Sequence, residues 1–197
     1  MHPLLMVSYA VLLMGAGVEE NMVPASPEKF RSLLLKIMVL TVLIPVMFIL
    51  LFRLAGWLKS LSMEDPKDRH LPHSMTFCVY MFSAFLYCGQ EDVPAILMPM
   101  LTGTSVCILL VGLITVFWKI SSHMAGIGGF TGFIIGLFLC SSAGNLLLPL
   151  MGGMLCSLAV AAARYYLKAH KPAQLLAGFF LGMVSSSVSV CFFAELF

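Results

Sequence analysis

Charge is scarce in this sequence. Only 10% of its 197 residues are Asp, Glu, Lys or Arg, while 60% are hydrophobic. That excludes an ordinary soluble globule, whose water-facing surface needs far more charge, and makes lipid the solvent around most of the chain. Excess charge of either sign is also missing. The net charge is +2 and the cations are spread among segment ends, which excludes a nucleic-acid footprint. The six cysteines, Cys78, Cys88, Cys107, Cys140, Cys156 and Cys191, lie in apolar runs without CxxC spacing. No zinc or redox motif is spelled out by them, and they read as small, lipid-compatible packing residues. The amino-terminal MHPLLMVSYAVLLMGAG has neither a basic n-region nor an A-x-A cleavage site. It therefore reads as a short or tilted first helix rather than a removable signal peptide.

What the sequence has is apolar length. Seven candidate spans run roughly over 3–17, 33–56, 72–89, 94–118, 122–142, 144–163 and 172–194. They exceed the length of a barrel strand, and a backbone in hydrocarbon must bond to itself, so the expected fold is all-α: one integral membrane domain over 1–197, a polytopic bundle of six to seven transmembrane helices. Pro45 is expected to kink the second span. Glycines at helical spacing, Gly128, Gly132 and Gly136, and Gly178 with Gly182, predict close helix contacts.

Seven crossings give the connections sides. The loops at 57–71, 118–123 and 164–171 share one face; those at 18–32, 90–93 and 141–145 share the other. The first face carries Arg53, Lys59, Lys67, Arg69, Lys119, Arg164, Lys168 and Lys171, with His70, His73, His123 and His170. The second sets Lys29, Arg31 and Lys36 against Glu19, Glu20, Glu28, Glu91 and Asp92. The positive-inside rule explains this by making the basic face cytoplasmic. Three loops meeting to bind an anion explain it equally, and the two accounts are compatible. Trp57, Trp118, Tyr165 and Tyr166 read as interfacial belt residues, and Lys119 reads either as a snorkelling anchor or as an anion contact.

Two stretches of the basic face carry chemistry. In Lys119-Ile120-Ser121-Ser122-His123, Ser121 or Ser122 can cap the fifth span, whose first-turn N–H groups form an anion site with His123 beside them. In the second, Arg164 offers a fork suited to phosphate oxygens, and His170 stands four residues before Gln174. If the last helix begins by position 170, His170 and Gln174 share a face, and Gln174 accepts a hydrogen bond from one imidazole nitrogen. Two histidines beside an arginine suggest a nucleophile and a proton donor.

These residues resemble the type 2 phosphatidic acid phosphatase (PAP2) superfamily over roughly 67–182. Its Pro-Ser-Gly-His motif is similar to Ile120-Ser121-Ser122-His123. Its Ser-Arg, five residues, His, three residues, Asp is similar to Ala163-Arg164-YYLKA-His170-KPA-Gln174. Its first motif, a Lys and an Arg-Pro, is loosely echoed by Lys67-Asp68-Arg69-His70-Leu71-Pro72. The resemblance implies a lipid phosphatase that needs no metal or other cofactor and acts on a phosphomonoester or terminal diphosphate. His170 would attack phosphorus, His123 would protonate the leaving oxygen, and Gln174 would hold His170. Lys67, Arg69, Arg164, Ser121 and Ser122 would bind the phosphoryl oxygens. The partners implied are membrane lipids, with the lipid phosphate reaching the site laterally, and the expected location is a bacterial inner membrane. Gln174 stands where the family has Asp, Ala163 where it has Ser, Ser122 where it has Gly and Ile120 where it has Pro. These departures keep open a second reading, a catalytically impaired relative that binds anionic lipid or assists membrane assembly. A transporter draws little support, since neither an inverted repeat nor midplane charge is evident.

Overall fold

The computed structural model describes residues 2–15, 26–60, 66–90, 93–140 and 146–194, with the side chains of Pro66 and Lys67 excepted. Glu19, Glu20, Glu91 and Asp92 and the loop expected at 141–145 lie outside the described residues.

All described elements are helical. A 3-10 turn, Pro3–Leu5, leads into α1 (Met6–Leu13). Helix α2 (Pro27–Met38) starts at Ser26, whose Oγ accepts the Lys29 N–H at 3.2 Å, with Pro27 in the first turn. It continues through a π-helical segment, Val39–Leu43, into α3 (Ile44–Leu54). Helix α4 (His70–Tyr87) follows a 3-10 turn, Pro66–Arg69. Pro45 has no N–H to donate to the carbonyl of Thr41, four residues back. The Tyr80 hydroxyl of α4 lies 3.1 Å from that carbonyl and 3.2 Å from the carbonyl of Leu4. A buried phenol thus joins the amino-terminal segment, the proline-bearing helix and α4 at the place where the ladder is interrupted.

The remaining helices are α5 (Leu97–Thr115), α6 (Ser122–Cys140), α7 (Leu147–Tyr166) and α8 (Pro172–Phe192). Five helices among the described residues are long and apolar enough to cross a membrane: Pro27–Leu54, α5, α6, α7 and α8. The chain is therefore a multi-pass helical membrane protein. Of the seven expected spans, the first is a short apolar helix, Pro3–Leu13. The third, α4, has 18 residues but opens with His70, Pro72 and His73. Lipid-facing surfaces are apolar as hydrocarbon requires: Leu147, Leu148, Leu155 and Leu158 of α7 all point outward.

Helices α6 and α8 run parallel at very close range. A Cβ built at Gly128, Gly132 or Gly182 would overlap the carbonyl oxygens of Phe179, Met183 and Ala125 respectively. Only glycine permits that approach, so the stripes visible in the sequence are the seam of the bundle. The same register joins Cys140 to Cys191 in a disulfide with Cα atoms 5.6 Å apart. This corrects the reading of all six cysteines as packing residues. The two lie 51 positions apart, and no local spacing announces a pair made by the parallel register of two helices. Cys78, Cys88, Cys107 and Cys156 are free thiols.

Candidate functional site

A cavity of about 250 Å³ enters the bundle at the end where α6 and α8 begin. Its polar end is lined by His2, Arg69, His73, Ser122, His123, Arg164 and His170. Three loops far apart in sequence thus bring their cations and histidines to one hollow, with no carboxylate among the described residues that line it.

Local sequence explains each placement. Ser121 is the N-cap of α6: its carbonyl accepts the Ala125 N–H at 2.9 Å and its hydroxyl the Met124 N–H at 3.4 Å. The N–H groups of Ser122 and His123, which have no acceptor within the helix, are left at the cavity end. Beyond α7 the chain reverses in a Schellman turn. The Ala169 N–H donates to the Arg164 carbonyl at 3.1 Å and the Lys168 N–H to the Tyr165 carbonyl at 2.9 Å, with Lys168 in the left-handed region at φ 52°. That turn brings His170 back beside the cavity that Arg164 lines. Pro172 then opens α8 from an extended Lys171.

His170 is buried, and its Nδ1 lies 3.3 Å from the carbonyl oxygen of Lys119. A carbonyl can only accept, so Nδ1 carries the hydrogen and Nε2 of the neutral ring keeps its lone pair. His73 is fixed in the same tautomer. Its Nδ1 donates to the Arg69 carbonyl at 2.7 Å, and its Nε2 accepts from the Ser122 hydroxyl at 3.2 Å. Arg164 keeps a buried Nε with no hydrogen-bond partner among the described residues. Burial, and then the Arg164 guanidinium, lower the pKa of Arg69. Two arginines and an unsatisfied buried donor give this end of the cavity the chemistry that an anion would satisfy.

Several expected roles fall differently. Gln174 does not hold His170. Helix α8 begins at Pro172, so the two residues do not share a helix face, and the Gln174 Oε1 instead accepts the Lys171 N–H at 2.9 Å. The partner of His170 is the Lys119 backbone, which residue identity could not announce. Ser121 is fully buried, occupied as a cap, and is not part of the cavity lining. Ser122, His123, Arg69, Arg164 and His170 all line the cavity; the Lys67 side chain is outside the described residues. His2, which sequence reasoning passed over, also lines it, as does His73, which was placed on the basic face with an ordinary interfacial role. The His2 ring stands edge-on to that of His123 with centroids 6.0 Å apart. His73 was legible in one respect, since it lies one helical turn past Arg69 on the same basic face.

Burial first, and then Arg164, Lys119 and Arg69, push the His170 imidazole down to about 4 from the ordinary 6.5, against the opposing pull of its bond to the Lys119 carbonyl. The unfolded chain therefore binds a proton near 6.5 that the folded chain takes up only near 4. Between those values the unfolded state holds more protons, so stability falls as pH drops through the window. The thermal midpoint of the purified protein is expected to decline over that range, and His170→Gln to flatten part of the decline. A midpoint that rises on acidification would contradict this electrostatic description. Comparison with known protein families, with curated proteins and with solved structures returns no match.

Proposed function

We propose that the chain is a metal-independent membrane lipid phosphatase that cleaves a phosphomonoester or terminal diphosphate through a phosphohistidine. One observation carries the reading: His170, with Nδ1–H bound to a backbone carbonyl and Nε2 free, lines the same cavity as His123 and two arginines, one of which has an unsatisfied buried N–H. His170 Nε2 forms the bond to phosphorus as the bond to the leaving oxygen breaks. Protonated His123, its charge favoured by the bound phosphate anion, gives that oxygen its proton, and the neutral ring then takes one from the water that hydrolyses the phosphohistidine. Arg69, Arg164 and the first-turn N–H groups of α6 stabilise the charge spread over the phosphoryl oxygens. In this reading α4 also crosses, α1 crosses partially, and the core is of the PAP2 type.

The Cys140–Cys191 bridge lies at the opposite ends of α6 and α8 from the cavity mouth. A disulfide fits an oxidising compartment, and the basic face fits the cytoplasm, so both support a site that opens inward; the location proposed is a bacterial inner membrane.

Inorganic phosphate release by the purified protein, across phosphatidate, phosphatidylglycerol phosphate and polyprenyl diphosphates, tests the reading. Release without added metal is expected from at least one class. No release from any of them by folded, monodisperse protein sinks it. That outcome favours the rival reading, a relative that binds anionic lipid without turnover. The neutral Lys119 carbonyl supports this rival, because the resembled family has a carboxylate as the partner of the corresponding histidine.

A further inference from the structure

His73 and Ser122 take no part in the phosphoryl transfer, yet they form a reactive pair. They lie 49 positions apart in sequence, and both line the cavity. The His73 Nδ1–H donates to the Arg69 carbonyl at 2.7 Å, which fixes the ring against the start of α4. Nε2 therefore holds the lone pair, and the Ser122 hydroxyl donates to it at 3.2 Å. A hydroxyl whose one hydrogen goes to an imidazole has none to give to a phosphoryl oxygen, so this arrangement does not suit Ser122 as a phosphate donor. It suits attack. A serine hydrogen-bonded to a base that a third group orients is the constellation of an activated nucleophile.

The surroundings fit acyl transfer. Ser122 stands in the first turn of α6, where its own N–H and that of His123 have no acceptor within the helix. Backbone N–H donors beside a nucleophile stabilise the oxyanion of a tetrahedral intermediate. Along α4 the lining residues Arg69, His73, Thr76 and Tyr80 fall one turn apart. The cation comes first, and the base follows about 6 Å deeper. Beyond it the Thr76 hydroxyl is turned back onto the Pro72 carbonyl at 2.7 Å, and Phe130 and Phe133 line the wall. Cation, nucleophile with base, and apolar wall follow the order of anionic head, ester and acyl chain in a lipid.

We propose that Ser122 and His73 are the nucleophile and base of a second activity, hydrolysis of the carboxylic ester of an anionic lipid. Ser122 Oγ bonds to the ester carbonyl carbon as His73 Nε2 takes its proton, and the carbonyl π pair moves onto oxygen. When that pair returns, the bond to the alcohol oxygen breaks and His73 gives the departing oxygen the proton. Water then adds to the acyl-serine, giving a proton to His73. The same return of the electron pair breaks the bond to Ser122 Oγ, which recovers its proton from His73 as the fatty acid leaves. Neither His170 nor a phosphohistidine enters, so the inference stands apart from the phosphatase reading.

The test treats the full chain in micelles with a long-chain alkyl fluorophosphonate, whose phosphorus bonds to an activated serine oxygen as fluoride leaves. Peptide mass mapping locates the adduct. Fatty-acid release is followed from lysophosphatidylglycerol and from monoacylglycerol, its uncharged counterpart. An adduct on Ser122 is expected, absent from Ser122→Ala, with the anionic ester cleaved about tenfold or more faster than the neutral one, the scale of one hydrogen bond to a charged group. His73→Gln keeps a hydrogen-bonding side chain towards Ser122 but supplies no base, so it should slow labelling about 10²-fold or more. A mere tie between α4 and α6 would be rescued by that variant. His73→Asn serves as the second variant, and both are compared below their thermal midpoints. No adduct on Ser122, an adduct on His170 in its place, or undiminished labelling in a folded His73 variant overturns the pair. Ser122 labelled without fatty-acid release from either ester overturns the activity, and equal cleavage of the neutral ester overturns its restriction to anionic lipids. Phosphate release measured beside these separates the two readings: its absence while fatty acid is released sinks the phosphatase alone, and its presence with Ser122 unlabelled sinks the esterase alone.

Discussion

His170→Ala is expected to lower phosphate release by at least about 10⁴-fold, the scale of losing a covalent nucleophile, while Gln174→Ala lowers it less than about tenfold. The asymmetry follows from hydrogen bonds. In a serine protease, changing the aspartate behind the catalytic histidine to asparagine costs about 10⁴ because the imidazole is held in the wrong tautomer. Here the group behind His170 is the Lys119 carbonyl at 3.3 Å. A carbonyl can select only the tautomer with hydrogen on Nδ1, so the ring is set correctly without a carboxylate. It lacks the negative charge that would raise the basicity of Nε2, and the cost is nucleophilic strength rather than orientation. Gln174 meanwhile bonds to the Lys171 N–H, and removing that cap costs about 1 kcal/mol of stability. Rate constants and thermal midpoints of the two variants separate the roles. A loss in Gln174→Ala as deep as in His170→Ala would show that the glutamine takes part in turnover, contrary to the geometry.

The fold was legible where a single helix suffices to explain it. Apolar runs too long for strands forced helices, and parity alone put the loops carrying Arg69, His123 and Arg164 on one face; those residues do line one cavity. The glycine stripes announced the α6–α8 seam because a missing Cβ matters only where another backbone comes close. What stayed hidden depends on two segments at once. The carbonyl of Lys119 is a partner that every residue type possesses, so its choice by His170 leaves no mark in residue identity. Cys140 and Cys191 meet through register, not spacing. The relation of Gln174 to His170 was misjudged for a local reason: Pro172 opens α8 two residues too late for the pair to share a face. The first span was read as short or tilted and is the Pro3–Leu13 helix; α4 was counted from position 72, which left His70 at its polar start out of the span.

Gly182→Val is expected to destabilise the protein by about 3 kcal/mol or more, the upper range for overpacking a close contact. Gly152→Ala, the same kind of change on another helix, should leave the thermal midpoint unchanged or slightly raised. A Cβ at Gly182 would overlap the Ala125 carbonyl and stand 2.7 Å from the Gly129 nitrogen, whereas at Gly152 it meets nothing within 4 Å. Backbone cannot swing aside as a side chain can, so valine at 182 must push α6 and α8 apart. Alanine at 152 instead gains the usual helical preference over glycine, about 0.5–1 kcal/mol. Separation of α6 from α8 also reaches the site. The Ser121 N–H donates to the Gln174 carbonyl at 3.3 Å, and His170 Nδ1 to the Lys119 carbonyl; both bonds tie the start of α6 to the start of α8. Phosphate release in Gly182→Ala, the milder change, should therefore fall at temperatures where the variant is still folded, because His123 lies in the first turn of α6 and His170 two residues before α8. Thermal scans read beside rates decide the matter: full activity in a folded Gly182→Ala would mean that the seam holds the bundle together without setting the spacing of the two histidines.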